Sequence, residues 1–253
     1  MNGQDETKNT RSKAWIFGGT SDIGRDIITA LSAQGFNVNF TWNSNEEQAS
    51  RIVQKYPNSK SYRLDLGNKM DVNEFCIRYE KLLYGNLFVY CAGVNNATLC
   101  DEMEPEKLEV VTHINFISAA KIFNVIARQS KSDKSSPTKL IYISSVAARK
   151  VKPGNTLYGA TKVAMERYMS GMTAELSRFN IRTLCISPGY IKTKMLDAYC
   201  KDRGIEVRDI LKNIPLRKIL TVDDITNVVI AFQKGNITTT GTVIALGNGE
   251  EFV

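Results

Sequence analysis

Lys13-Ala14-Trp15-Ile16-Phe17-Gly18-Gly19-Thr20-Ser21-Asp22-Ile23-Gly24 is the stretch that decides the fold of this chain. Residues 13–17 read as a short buried strand that runs straight into a glycine turn. Beyond the turn, Ile23, Ile27, Ala30 and Leu31 recur at the spacing of one helix face, so an amphipathic helix follows. Strand, glycine turn and helix form a dinucleotide-binding unit. Glycines let the backbone turn tightly and approach a pyrophosphate, which rests on the free N–H groups at the helix start. Gly18, Thr20, Ser21, Asp22, Ile23 and Gly24 are the contacts expected there. The spacing is not Gly-x-Gly-x-x-Gly, because Gly18 and Gly24 bracket the turn and Asp22 stands at the middle glycine position. Taken alone, an ordinary βα loop with extra glycines reads the same way.

Outward from this unit, strand-like runs fall near 13–18, 37–42, 61–65, 87–92, 139–145, 182–187 and 242–246. Helical stretches fall near 22–34, 45–56, 70–84, 104–129, 156–179 and 222–234. Strands alternating with helices imply βαβ units and a parallel sheet covered on both faces. There is no internal repeat, and the polar run Ser130–Pro137 reads as a loop before the fifth strand. The 253 residues, 43% of them hydrophobic, show no composition break. Residues 13–253 therefore read as one domain behind a flexible polar tail, 1–12. No run of 18 apolar residues marks a transmembrane helix, and the tail lacks the apolar stretch of a signal peptide. Cys76, Cys91, Cys100, Cys185 and Cys200 form neither an even framework nor a Cys-x-x-Cys pair. Cys91 and Cys185 sit in apolar strands as small core residues, and a reduced cytoplasmic setting is the simplest expectation. The single histidine, His113, leaves no basis for a histidine-based metal site or a Ser-His triad.

The chemistry is concentrated in Tyr158-Gly159-Ala160-Thr161-Lys162. Helix positions four apart share a face, so Tyr158 and Lys162 project together. A tyrosine titrates near pH ~10, too high for proton transfer at neutrality. A neighbouring ammonium is expected to lower that value and make Tyr158 a general acid/base. Ser145, at the end of the apolar run Leu140-Ile141-Tyr142-Ile143, is placed to hydrogen-bond the same substrate oxygen. By itself a Tyr four residues before a Lys is usually a solvated helix face.

Together these residues resemble the short-chain dehydrogenase/reductase family, with its glycine motif T-G-x-x-x-G-x-G and catalytic motif Y-x-x-x-K. Phe17–Gly24 is similar to the first, with Phe17 in place of Thr and Asp22 in place of Gly; Tyr158 and Lys162 match the second. Ser145 falls at the family's serine spacing. The resemblance continues through Asp65, Ala92-Gly93, Asn115, Pro188-Gly189, Thr193 and Gly241-Thr242-Val243. It implies an α/β, Rossmann-type, doubly wound parallel sheet of seven strands with helices on both faces, assembled as a homodimer or homotetramer. It also implies that Asp65 and Leu66 lie beside the adenine and that Ala92 and Gly93 pass under the cofactor. The Asn115 carbonyl is implied to hold a water linked to Lys162. Pro188, Gly189, Ile191 and Thr193 are implied to contact the nicotinamide carboxamide, and residues 190–220 to form a substrate lid. Tyr90-Cys91 stands where the family has two asparagines, which puts one local hydrogen-bond network in question. The implied chemistry is hydride transfer to a carbonyl, with Tyr158 giving the proton, Ser145 holding the oxygen, Lys162 holding the ribose and Asn115 supporting proton resupply.

An NAD site usually carries an Asp or Glu about 20 residues beyond the glycines. Here the second strand ends Trp42-Asn43-Ser44, with no acid before Glu46. That favours NADP(H), with Asn43 and Ser44 donating to the 2′-phosphate, although no Lys or Arg stands at the strand end; NAD(H) remains open. Within the family the chain looks most like 3-oxoacyl-acyl-carrier-protein reductases. The net charge of +7 and pI near 9.1 suit an acidic carrier protein. Lys131, Lys134, Lys139 and Arg178 lie on elements that face it in such reductases, and an ordinary solvated surface is the alternative. No compact basic block favours nucleic acid. Two other functions stay open: a dehydrogenase of a small alcohol, sugar or specialised metabolite, and a non-catalytic dinucleotide sensor. The lid residues Met195, Leu196, Tyr199, Ile205 and Ile210 either line the substrate site or simply pack.

Overall fold

Side chains alternate across a strand, and β1 (Lys13–Phe17) is buried on both sides. Ala14 and Ile16 enter one apolar layer, while Trp15 and Phe17 enter the other. A strand covered on both faces reads as a continuous apolar run, which is why residues 14–17 show no polar alternation. The computed structural model describes residues 12–132 and 137–252. Its remaining strands are β2 (Asn37–Trp42), β3 (Ser59–Arg63), β4 (Leu87–Tyr90), β5 (Thr138–Ile143), β6 (Ile181–Pro188) and β7 (Thr242–Leu246). All pair in parallel in one seven-stranded sheet ordered β3-β2-β1-β4-β5-β6-β7. The strand order reverses beside β1, between β2 and β4. In such sheets the crevice for ligands opens beyond the carboxyl ends of the strands at that reversal.

The helices along the chain are α1 (Asp22–Ala33), α2 (Glu46–Lys55), α3 (Lys69–Arg78), α4 (Pro105–Thr112) and α5 (Ser118–Ser130). They continue as α6 (Thr156–Leu176), α7 (Lys194–Arg203), α8 (Val207–Leu211) and α9 (Val222–Lys234). Apolar faces of α1, α2 and α9 cover one side of the sheet, and those of α3, α5 and α6 cover the other. Both faces are therefore sealed, and polar chemistry is left to the strand ends. The described part of the expected tail, Ser12, extends the β1–β2 ladder through its carbonyl, which accepts from Asn37 N–H at 3.0 Å; the rest of 1–12 lies outside the described residues.

Two expected helices differ in detail. The stretch expected at 70–84 ends at Arg78 and resumes as a 3-10 turn, Glu80–Leu82. The stretch expected at 104–129 is continuous but contains a π-helical turn, His113–Ile117, between α4 and α5. A π turn displaces backbone carbonyls from the regular ladder. Two strand tyrosines take them up: Tyr90 Oη donates to Ile114 O and Tyr142 Oη to Asn115 O, each at 2.6 Å. Pro105–Ser130 is long and apolar enough to cross a membrane, yet Ala119, Ile122, Phe123 and Ile126 on it are wholly buried in the core. The segment expected as a lid, 190–220, carries α7 and α8, and its two ends are stitched together by Lys192 N–H to Leu220 O at 2.8 Å and Leu220 N–H to Tyr190 O at 3.0 Å.

The glycine turn is tight because β1 and the end of β4 approach closely at Gly18. Gly18 has φ of +87°, and a Cβ there would lie 2.9 Å from Ala92 N. Gly18→Ala is expected to cost about 2 kcal/mol or more through left-handed strain and the clash with the β4 end. Urea denaturation measures this; an unchanged midpoint would contradict the turn geometry.

Candidate active site

β5 carries Tyr142 and Ile143 and then delivers Ser144 and Ser145, while the first turns of α6 bring up Tyr158 and Lys162. Ser145 is held by its own turn, Oγ accepting from Ala147 N–H at 3.2 Å, and it lines the cleft beside Tyr158. Lys162 is 2% exposed. Its Nζ donates to Ile143 O at 2.9 Å and to Tyr142 Oη at 3.1 Å, and lies 5.4 Å from the centre of the Tyr158 ring. The three residues thus converge as their spacing anticipates.

Their electrostatics differ from expectation. Burial pushes Lys162 down to about 7, and burial also raises Tyr158, with the Ser145 hydroxyl opposing. The expected lowering of Tyr158 by the lysine is therefore reversed in this site. Both groups have lost solvent, and desolvation disfavours each charged form. The phenol is kept protonated, the form that gives a proton away.

Asn115 is fully buried and lies behind the cleft wall formed by Gly93 and Val94 rather than in the lining. Its Oδ1 accepts from Val94 N–H at 3.0 Å, and its Nδ2 donates to Val94 O at 2.9 Å and to Thr161 Oγ1 at 3.1 Å. This pairing pins the strand-to-loop segment after Gly93, so the region of the two missing asparagines is held by other groups. The resemblance implies a water between the Asn115 carbonyl and Lys162. Here the Tyr142 hydroxyl makes that link itself, accepting from Lys162 and donating to Asn115 O.

A cleft of about 560 Å³ runs from this cluster past the glycine turn to the end of β2. Gly18, Thr20, Ser21, Asp22 and Ile23 line it, with Gly24 packed behind: a Cβ at Gly24 would fall 2.4 Å from Gly18 O. Ser21 caps α1, accepting from Gly24 N–H at 3.0 Å. Asp22 stands where an anion is expected, but its carboxylate is ion-paired with Arg25 and accepts from Lys194 N–H at 2.9 Å. Its charge is thereby offset, and it ties the glycine turn to the start of α7. Ala92 and Gly93 form the wall beside the lysine, where a Cβ on Gly93 would come within 3.2 Å of Lys162 Nζ. Asp65 and Leu66 line the cleft, and Asp65 Oδ1 also accepts from Gly67 N–H at 2.9 Å, so the same side chain closes the turn after β3. Pro188, Gly189, Ile191 and Thr193 line the opposite side. At the far end Trp42, Asn43, Ser44 and Asn45 contribute polar groups and no carboxylate. Arg25 reaches toward α2, its Nη1 donating to Gln48 Oε1 at 3.4 Å. Glycine walls, an offset acid and a free helix start fit a dinucleotide.

Of the lid residues, Met195, Leu196 and Tyr199 line the cleft. Ile205 and Ile210 do not; they pack in a small cluster with Leu196 and Ile214. Of the basic positions, Lys131 and Arg178 are exposed and flank the Phe179 ring at 5.2 and 4.8 Å. Lys139 is buried and donates to Gln233 O, so it is no surface cation; Lys134 lies outside the described residues. Lys150, Lys152 and Glu250 line the cleft without having been singled out in the sequence. Glu250 carried no signal, because its partner Lys152 is 98 positions away.

The family model described as short chain dehydrogenase matches residues 12–204. The chain is 27% identical over 218 residues to 3-oxoacyl-acyl-carrier-protein reductase FabG of Chlamydia muridarum, covering 84% of this chain and 86% of that protein. It is 25% identical over 244 residues to carbonyl reductase (NADPH) 2 of Sus scrofa, covering 94% and 95%. A solved structure described as ElxO with NADP bound superposes with a TM-score of 0.84 at 22% identity, covering 96% of this chain and all of the other.

The Tyr142 bridge has a direct readout. Lysine side-chain NMR is expected to show Lys162 titrating near 7 in the dinucleotide-free protein. In Tyr142→Phe the ammonium loses an acceptor that favours its charged form, so the midpoint moves lower still. No shift in the variant would contradict the bridge, and titration near the ordinary lysine value of about 10.4 would contradict the desolvation of Lys162.

Proposed function

Because this chain belongs to the short-chain dehydrogenase/reductase family of NAD(P)-dependent oxidoreductases, we propose that it is an NADPH-dependent ketoreductase acting on a 3-oxoacyl thioester carried by an acyl carrier protein. The observation that carries this reading is the convergence of Ser145, Tyr158 and Lys162 at one end of a cleft whose other end is a glycine turn at a helix start. Bound in that cleft, the nicotinamide supplies the hydride. Tyr158, kept protonated by burial, gives its proton to the carbonyl oxygen. Ser145 hydrogen-bonds the same oxygen as charge develops on it. Lys162 has two of its three N–H donors engaged by Ile143 and Tyr142, which leaves one for the ribose. Its charge favours the phenolate left behind on Tyr158. Asn115 acts through Val94 and Tyr142 to hold the wall and the lysine.

The polar, carboxylate-free end at Asn43, Ser44 and Asn45 supports NADPH over NADH, since a carboxylate there would repel a 2′-phosphate. The name of the pig relative includes NADPH. The thioester substrate draws support from the carrier-protein reductases among the relatives and from exposed Lys131 and Arg178. Assembly into two or four copies and a reducing cytoplasmic setting, in keeping with five free thiols, belong to the same reading. A dehydrogenase of a small polar metabolite is the second reading, favoured by Lys150, Lys152 and Glu250 at the substrate end of the cleft.

The test is consumption of NADPH and NADH with acetoacetyl-CoA, beside Tyr158→Phe. Turnover with NADPH that falls by about 100-fold or more in the variant, with dinucleotide binding kept, is the expected result. Equal loss of binding and turnover would make Tyr158 structural, and NADPH binding without turnover would overturn the thioester reading.

A further inference from the structure

The loop between Ser145 and Tyr158 carries two lysines into the substrate end of the cleft. Lys150 and Lys152 line it together with Tyr190 and Tyr199, whose ring centres are 5.8 Å apart, and Lys152 Nζ lies 4.7 Å from the centre of the Tyr190 ring. Both lysines share Glu250, a carboxylate 2% exposed on the last short turn of the described chain, Glu250–Phe252. Glu250 Oε1 lies 2.6 Å from Lys152 Nζ but 3.9 Å from Lys150 Nζ, which is too far for a hydrogen bond. Lys152 also donates to Tyr190 Oη at 3.2 Å.

Two ammonium groups thus face one carboxylate, leaving one positive charge over. The lysine side chains are only 15% and 28% exposed, so solvent offsets that excess incompletely. Lys150 is held below the ordinary lysine value first by burial and then by the like charge of Lys152, with Glu250 opposing. Lys150 Nζ has no hydrogen-bond partner among the described residues. A partly buried ammonium without a hydrogen-bond acceptor is costly, and its long ion pair with Glu250 is shared with Lys152; an anion arriving with the ligand removes that cost. The dinucleotide phosphates are provided for elsewhere, at the start of α1.

We propose that Lys150 and Lys152 bind an anionic group, a carboxylate or a phosphate, on the carbonyl substrate itself, and so select acidic substrates. This inference rests on the carbonyl-reductase reading of the site. Asn155 extends the polar side of the pocket, while Tyr190, Tyr199 and Met195 give the substrate body an apolar wall. Glu250 holds Lys152 in place by their short ion pair.

The test compares acetoacetate with methyl acetoacetate, which presents the same ketone without the charge, and with acetoacetyl-CoA, whose phosphates are remote from the ketone. Specificity constants are measured in the wild type, Lys150→Gln and Lys152→Gln. Binding of the same three ligands is measured by calorimetry to the NADPH complexes of Tyr158→Phe and of its double variants with Lys150→Gln and with Lys152→Gln, so that the anion site is read without turnover. A preference for acetoacetate over its ester of about tenfold or more, falling toward one in each lysine variant, is the expected result for a carboxylate. The same lysine dependence confined to acetoacetyl-CoA assigns the anion to a phosphate. Equal handling of acid and ester by the wild type, with no lysine dependence for the thioester, overturns the proposal while sparing the reductase reading. Lysine-dependent binding of acetoacetate with no turnover of any ketone overturns the reductase reading and keeps the anion site.

Discussion

A lysine ammonium buried to 2% exposure must be given hydrogen-bond acceptors by the fold around it. Much of this site follows from how Lys162 is supplied. One acceptor is the Ile143 carbonyl at the end of β5 and another is the Tyr142 hydroxyl. Tyr142 can accept from the lysine because its own proton goes to the Asn115 carbonyl. That carbonyl is available because the helix turns π-helical there. Strand, helix bulge and catalytic helix are thereby locked to one another by three hydrogen bonds. Tyr90 does the same for the neighbouring carbonyl of Ile114. The two tyrosines stack at 5.9 Å on one face of the sheet, and Phe17 continues the row at 6.0 Å from Tyr90. The aromatic layer that fills the core is therefore also the frame of the site.

The cofactor end is organised by a different constraint, the close approach of β1 and β4 at the reversal of strand order. Gly18 and Ala92 nearly touch there, so the turn tolerates no side chain at position 18. Asp22 then converts an unfavourable position into a connection. Its charge is met by Arg25, and its remaining oxygen holds the backbone of Lys194 at the start of α7. The glycine turn and the start of α7 are joined through this one carboxylate.

What was legible in the sequence was what lies within one element or one turn. The apolar run at 14–17, the helix face through Ile23, Ile27 and Leu31, and the four-residue spacing of Tyr158 and Lys162 are local patterns, and all three are present. The π turn was not legible, because it depends on hydroxyls from Tyr90 and Tyr142, positions 24 and 27 residues away from the carbonyls they hold. The direction of the Tyr158 shift was not legible either. Proximity to a lysine is visible in spacing, whereas the depth at which both groups lie is not. Lys139 shows the same gap from the other side: a lysine in a strand looked like surface charge, and its stem is buried with the head on the Gln233 carbonyl. The lid helices carried a helical stripe, and which of its residues face the cleft was decided by packing against Ile214.

In the proposed reaction the cleft places a nicotinamide against a carbonyl beside Tyr158. The most direct test is the fate of an isotopic label. Enzyme, a 3-oxo substrate and NADPH deuterated at the transferring C4 position are incubated together, and the product is examined by mass spectrometry and NMR. The expected result is deuterium on the new carbinol carbon. Deuterium retained entirely on the nicotinamide, with NADPH demonstrably bound in the cleft, would contradict the reaction.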